Sequence, residues 1–163
     1  MTDTIHSEGG QTIRFLSETP DALIMEADYR AGTPSPPAHL HPSQDEHFEV
    51  LSGGVHAVIK KEARTLRAGD TLDIPAGTVH QLGGLPDTDG TVRWEVRPAL
   101  RTREFLQASF GLAGSPTDSR ALLRAAMVAR DYAPEFRLAK PSRPVQAILF
   151  AVLGLAAKLR RGP

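Results

Sequence analysis

The sequence predicts an all-β domain followed by a helical extension, and three observations predict it. Apolar residues recur with a period of two in short runs as far as Val96, the runs are separated by clusters rich in Gly, Pro, Asp and Ser, and after Pro98 the period lengthens to about 3.6. Residues 1–10 form a polar leader ending in Gly9-Gly10, residues 11–98 the β domain, and residues 99–163 the extension.

In chain order, the first strand is expected over residues 11–17, with Ile13 and Phe15 on one face. Residues 21–30 follow as a half-buried strand: Leu23, Met25, Ala27 and Tyr29 share a face, and Glu26, Asp28 and Arg30 take the other. Residues 31–38 hold Pro34, Pro36 and Pro37 and are therefore stiff and extended, delivering His39 to a fixed place at little entropic cost. Glu46, Phe48 and Val50 alternate inward along the next strand. Gly53-Gly54 is a hairpin signal joining it to residues 55–61. Residues 62–69 read as a charged turn, residues 71–75 as a short strand, and Pro75-Ala76-Gly77 as a turn feeding a strand on which His80 and Leu82 share a face. A loop over residues 83–90 precedes the closing strand, with Val92, Trp94 and Val96 on one side and Arg93, Glu95 and Arg97 on the other.

The extension begins with a helix from Thr102, its expected cap, to Leu112, striped by Phe105, Leu106 and Phe110. A second helix is expected over residues 116–132, capped by Asp118 or Ser119, with Leu122, Leu123, Ala126 and Met127 apolar and Pro134 breaking it. Residues 145–159 are the most apolar stretch of the chain, yet too short and too interrupted by Gln146 for a membrane span of about 20 apolar residues. Such a helix must be covered, by the β domain, by a dimer interface, or by a membrane surface that Val145 to Arg161 contacts with Lys158, Arg160 and Arg161 at the headgroups.

With 163 residues, 40% of them hydrophobic, the chain is long enough for a real core. It has no cysteine, which excludes disulfides, thiolate metal sites and cysteine nucleophiles. No basic patch followed by an apolar run opens it, so the expected location is cytoplasmic. Lys and Arg number 7 against 15 Asp and Glu in residues 1–96, and 12 against 4 in residues 97–163. An acidic body with a basic tail suggests that the tail packs on the body, its own or that of a second subunit, and a homodimer is the expected assembly. Nothing interleaves aromatic residues with a basic stripe, so no nucleic-acid partner is expected.

The chemistry concentrates in residues 32–53 and 69–80. His39 and His41 stand two apart on one strand and so face the same side. A turn over residues 42–45 brings Glu46 back to them, and His80 arrives from the later segment. Single histidines on strands are usually packing residues, and His6, His47 and His56 are read that way, with His47 facing out if Glu46 faces in. Three neutral imidazoles and one carboxylate together suit a divalent first-row transition metal: iron, manganese, nickel, cobalt, copper or zinc.

These two stretches resemble the paired motifs of the cupin superfamily. In the first, Gly32, His39, His41, Glu46 and Gly53 match with one spacing longer by a residue; in the second, Gly69, Pro75, Gly77 and His80 fall in place, with Gly84 where the family has Asn. The resemblance covers roughly residues 12 to 98 and implies a double-stranded β-helix, a small jelly-roll barrel with the metal inside. It implies no single activity. A centre with four protein ligands leaves positions open for water, dioxygen or a bidentate substrate. The expected wall of a substrate pocket is Met25, Tyr29, Phe48, Leu82 and Trp94, the alternative being that these five are core. Glu46 is the candidate catalytic residue, as a base released from the metal. Two classes of function follow: an enzyme acting on a small chelating molecule, dioxygenase-like or an isomerase or lyase, and a non-catalytic, metal-dependent ligand sensor with the tail as its interaction surface.

Overall fold

The computed structural model describes residues 3–111 and 119–140. Among them, strands come first and helices second, as the change of period requires. The strands are β1 (Thr4–His6), β2 (Gln11–Thr19), β3 (Ala22–Tyr29), β4 (His39–Leu40), β5 (Asp45–Ile59), β6 (Glu62–Arg67), β7 (Thr71–Ile74), β8 (His80–Gly84) and β9 (Gly90–Arg97). Helices α1 (Thr102–Phe110) and α2 (Ser119–Asp131) follow, and a two-residue strand, β10 (Arg137–Leu138), ends the described chain.

Among the described residues all strand pairings are antiparallel. One side runs β1, β2, β3, β9, then the first half of β5 and β7; the other runs β6, the second half of β5, β8, β4 and β10. This is the jelly-roll arrangement, with β5 as the strand common to both sides.

Alternation decides what is buried. On β3, Leu23, Met25 and Ala27 are wholly inaccessible, and on β9 Val92 and Val96 are too. Each large apolar side chain so placed contributes about 1.5–3 kcal/mol. The registers Met25 to Trp94 and Phe48 to Trp94 set these residues side by side across three strands. On the outer face, Arg14 of β2 bridges Glu26 and Asp28 of β3 at 2.7 and 2.5 Å.

Three local readings need correction. Gly53-Gly54 is not a hairpin: β5 runs straight through it, leaving β9 and β7 on one side for β6 and β8 on the other. A Cβ at Gly53 would lie 1.8 Å from the Asp89 carbonyl oxygen, so these glycines permit a close crossing of backbones. The turn between β5 and β6 falls instead at Lys60 and Lys61, both with positive φ. Residues 62–67 are a strand, not a turn; only Leu66 is buried, which leaves almost no alternation to read. Thr102 is the first residue of α1, while Arg101 stands at the cap position with no side-chain cap hydrogen bond. The Thr102 hydroxyl accepts from Gln44 Nε2 at 2.7 Å instead.

The leader also holds more order than polarity suggested, since Thr4–His6 pairs with β2. Phe105 and Leu106 of α1 are buried and Phe110 packs at the margin of the core. Asp118, the expected helix 145–159, and with it the contact of Val145 to Arg161 with a membrane, lie outside the described residues, as do the side chains of Leu122 and Leu123. Among the described residues no helix is long and apolar enough to cross a membrane.

Candidate metal centre

His39 on β4 and His80 on β8 sit opposite each other in the strand register, and His41 follows β4 directly. Glu46, the second residue of β5, points inward at 3% exposure. The four residues singled out from the sequence therefore meet inside the barrel. One ring nitrogen from each of His39, His41 and His80 lies within 4.8 Å of the other two. Glu46 Oε2 lies 2.9 Å from His80 Nε2, and Glu46 Oε1 lies 3.3 Å from His41 Nε2.

The orientation of each ring is settled by its other nitrogen. His39 Nδ1 lies 2.9 Å from the carbonyl oxygen of Pro37, His80 Nδ1 lies 3.0 Å from that of Thr78, and His41 Nδ1 lies 2.6 Å from that of Glu135. A carbonyl can only accept, so each Nδ1 carries the hydrogen and each Nε2 keeps its lone pair in the neutral ring. Backbone carbonyls holding Nδ1–H while Nε2 faces a common point is how metal-ligating histidines are fixed. Trp94 Nε1 donates to Glu46 Oε1 at 3.0 Å, which fixes the carboxylate in turn.

The electrostatics of the cluster are compatible with a cation. His41 Nε2 and Glu46 Oε2 are buried and make no hydrogen bond, although an ion-pair distance separates each from a neighbour. Burying polar groups without partners is costly, and a buried carboxylate more so. Burial pushes the Glu46 carboxyl upward, but the charges of His41, and His80 beside it, hold it below the usual range. His39 is driven down to about 3 by burial, then by the charges of His80 and His41. Burial also works against a charged His80, yet the Glu46 carboxylate beside it raises its value. A divalent ion among the Nε2 atoms and Oε2 would satisfy the orphaned atoms together. The donor set fits such an ion, since it is neutral imidazole plus carboxylate with no thiolate.

The five residues expected to wall a pocket, Met25, Tyr29, Phe48, Leu82 and Trp94, all lie in the continuous apolar core. Phe48 stacks on Trp94 at 5.5 Å, and Trp94 reaches the centre through its indole N–H. Burial, and then the Glu46 charge, pushes the Tyr29 phenol upward, so it stays protonated. Of the other histidines, His47 faces out and pairs with Asp73 at 2.7 Å, and His6 Nδ1 lies 3.0 Å from the Thr12 hydroxyl.

Sequence reasoning missed the part played by the extension. Phe136 stacks on the His39 ring at 4.8 Å and on Phe105 at 4.9 Å, and β10 pairs with β4. The Glu135 contact to His41 is made by a main-chain carbonyl 94 residues away, for which side-chain identity carries no signal. The holds on His39 and His80 come from carbonyls two residues upstream, which the proline and turn positions place locally.

The family model described as the cupin domain matches residues 25–95, the span that carries all four converging residues. Residues 25–95 carry a cupin domain. This cupin is similar in fold to the structure of KdgF from a Halomonas species, with TM-score 0.56 and 24% identity over 62% of this chain and 90% of that one. It is similar also to an RmlC-like cupin from Shewanella frigidimarina, with TM-score 0.56 and 20% identity over 63% and 88% of the two chains. At these identities the likeness is one of fold. A 44-residue stretch is 50% identical to the uncharacterized protein YdbB of Bacillus subtilis, spanning 26% of this cupin and 39% of that protein's length.

Proposed function

We propose that this cupin is a metal-dependent enzyme acting on a small chelating organic molecule such as a diketone, a catechol-like ring or a keto acid. The observation that carries the reading is the set of three buried imidazoles with one ring nitrogen each within 4.8 Å of the others, every ring fixed by an Nδ1–H held on a backbone carbonyl, beside the buried Glu46 carboxylate. His39, His41, His80 and Glu46 would hold the ion, drawn from iron, manganese, nickel, cobalt, copper or zinc. Bound there, a divalent metal supplies Lewis acidity towards chelated oxygens and, if redox-active, electrons for dioxygen.

The remaining steps fall to the chain's own residues. Trp94 occupies Glu46 Oε1, which leaves Oε2 as the carboxylate atom able to take a proton from a bound substrate. Glu46 Oε2 thus serves as ligand or, once released from the ion, as base, while Trp94 holds Oε1. Phe136 and Phe105 cover the His39 side of the centre with apolar surface, which excludes water and favours an uncharged or enolisable ligand over a phosphorylated one.

A second reading is a metal-dependent ligand sensor, which needs the same three imidazoles to hold the ion but no proton transfer by Glu46. The test is a screen of diketones, catechols and keto acids with metal-loaded protein, run with and without oxygen. The enzyme reading expects metal-dependent consumption of at least one compound, abolished in Glu46→Gln; oxygen uptake separates a dioxygenase from an isomerase or lyase. Saturable binding of these compounds without turnover would establish the sensor in its place.

A further inference from the structure

The segment beyond the family's span reaches into the centre at three points. The Glu135 carbonyl holds His41 Nδ1 at 2.6 Å, Phe136 stacks on the His39 ring with an interplanar angle of 27°, and Leu138 pairs with His39 in the strand register. Ala139 N–H donates to the Ala38 carbonyl oxygen at 2.8 Å, which anchors the far end of this strap one residue before the first ligand.

The near end is latched by Arg101, at the cap position of α1. Its guanidinium donates to both carboxylate oxygens of Glu135, at 3.3 and 3.4 Å, and to the Asp131 carbonyl oxygen at 2.7 Å, and it covers the Tyr132 ring at 4.8 Å. The Glu135 carboxylate is almost wholly buried, whereas Arg101 is half exposed. A buried carboxylate with one cation beside it is strongly tied to that cation, because losing the partner leaves the charge uncompensated. Arg101 therefore fixes where Glu135 sits, and through its carbonyl where His41 points.

We propose that Arg101 and Phe136 are positioning residues of the metal centre, acting through the Glu135 carbonyl on His41 and through ring stacking on His39. The inference rests on the metal reading above. Its physical content is linkage. A cation at Nε2 withdraws electrons from the imidazole, makes Nδ1–H a stronger donor to Glu135, and so tightens the strap; by reciprocity a closed strap tightens the ion.

The test uses the full chain, freed of metal and titrated with Co(II), for the wild type, His41→Ala, Arg101→Ala, Phe136→Ala and Phe136→Tyr. Circular dichroism of each metal-free protein verifies folding. Arg101→Ala and Phe136→Ala are expected to bind Co(II) about tenfold more weakly, with an altered visible absorption band, while Phe136→Tyr keeps the ring and restores both. Hydrogen exchange at residues 132–139 is expected to slow when Co(II) binds the wild type. Wild-type Co(II) affinity and spectrum in both alanine variants, or lowered thermal stability with unchanged affinity, overturns the proposal and makes the strap plain packing. A wild type that binds Co(II) no better than His41→Ala overturns the metal reading itself and the strap's role with it. If Phe136→Ala does not fold, Arg101→Ala carries the test, since its side chain is half exposed.

Discussion

Glu46, His39 and His80 share one small volume, and burial treats them differently. His39 has no counter-charge as near as His80 has, so burial and its charged neighbours drive it down to about 3, against about 6.5 for a free histidine. Below pH ~6.5 the unfolded chain therefore binds a proton at His39 that the folded, metal-free chain does not. The sign follows directly: this group's contribution to stability falls as pH drops from ~6.5 towards its folded value, by about 1.4 kcal/mol per pH unit at most. His80 runs the other way, its value raised beside Glu46, so its contribution is present at low pH and is lost as pH rises through the folded value. Comparing urea unfolding of metal-free wild type and His39→Leu at pH 7.5 and 5.5 isolates the His39 contribution. The variant is expected to lose less stability on acidification, by roughly 1 kcal/mol. Equal losses would mean that His39 is not held neutral in the fold.

At the scale of elements, β5 decides the architecture, because one strand of 15 residues serves both sides of the barrel. Its crossing at Gly53 allows no side chain: φ is +61° and a Cβ would strike the Asp89 carbonyl. Gly69 has a positive φ of +91° but open space around it. Gly69→Ala is then expected to cost about 1–2 kcal/mol, from the backbone alone. Gly53→Ala should cost more than about 4 kcal/mol or prevent folding, measured by chemical denaturation. Similar losses for the two would remove the crossing as the reason for the glycine. The same element shows what pattern alone can and cannot convey. Inward Glu46, Phe48 and Val50 were legible from period two, and so were the shared faces of β3 and β9. Gly53-Gly54 was not, because a glycine pair serves a hairpin turn and a close crossing equally well, and only the neighbouring strand distinguishes them. Strand β6 hid for a different reason: with a single buried side chain it has no apolar period.

At the scale of the whole molecule, residues 135–138 of the extension lie against the barrel's histidines: the Glu135 carbonyl against His41 and Phe136 against His39. His39, His41, Glu46 and His80, singled out by strand alternation and by the resemblance to the cupin motifs, lie together inside the barrel. The extension's share was illegible, as it is delivered by a main-chain carbonyl, an aromatic stack and a two-residue strand pairing. Arg103 of α1 reaches Glu18 at 2.6 Å and Asp3 at 3.3 Å. The core, from Ile13 to Leu106, is apolar and continuous without the centre, so metal is expected to add stability through binding and not to create the fold. The most direct measurement of the central claim is metal analysis of the purified wild type beside His41→Ala and Glu46→Ala. Close to one transition-metal ion per wild-type chain, with most of it lost in both variants, is the predicted result. Full metal content in both variants, or none in the wild type after reconstitution, would contradict it.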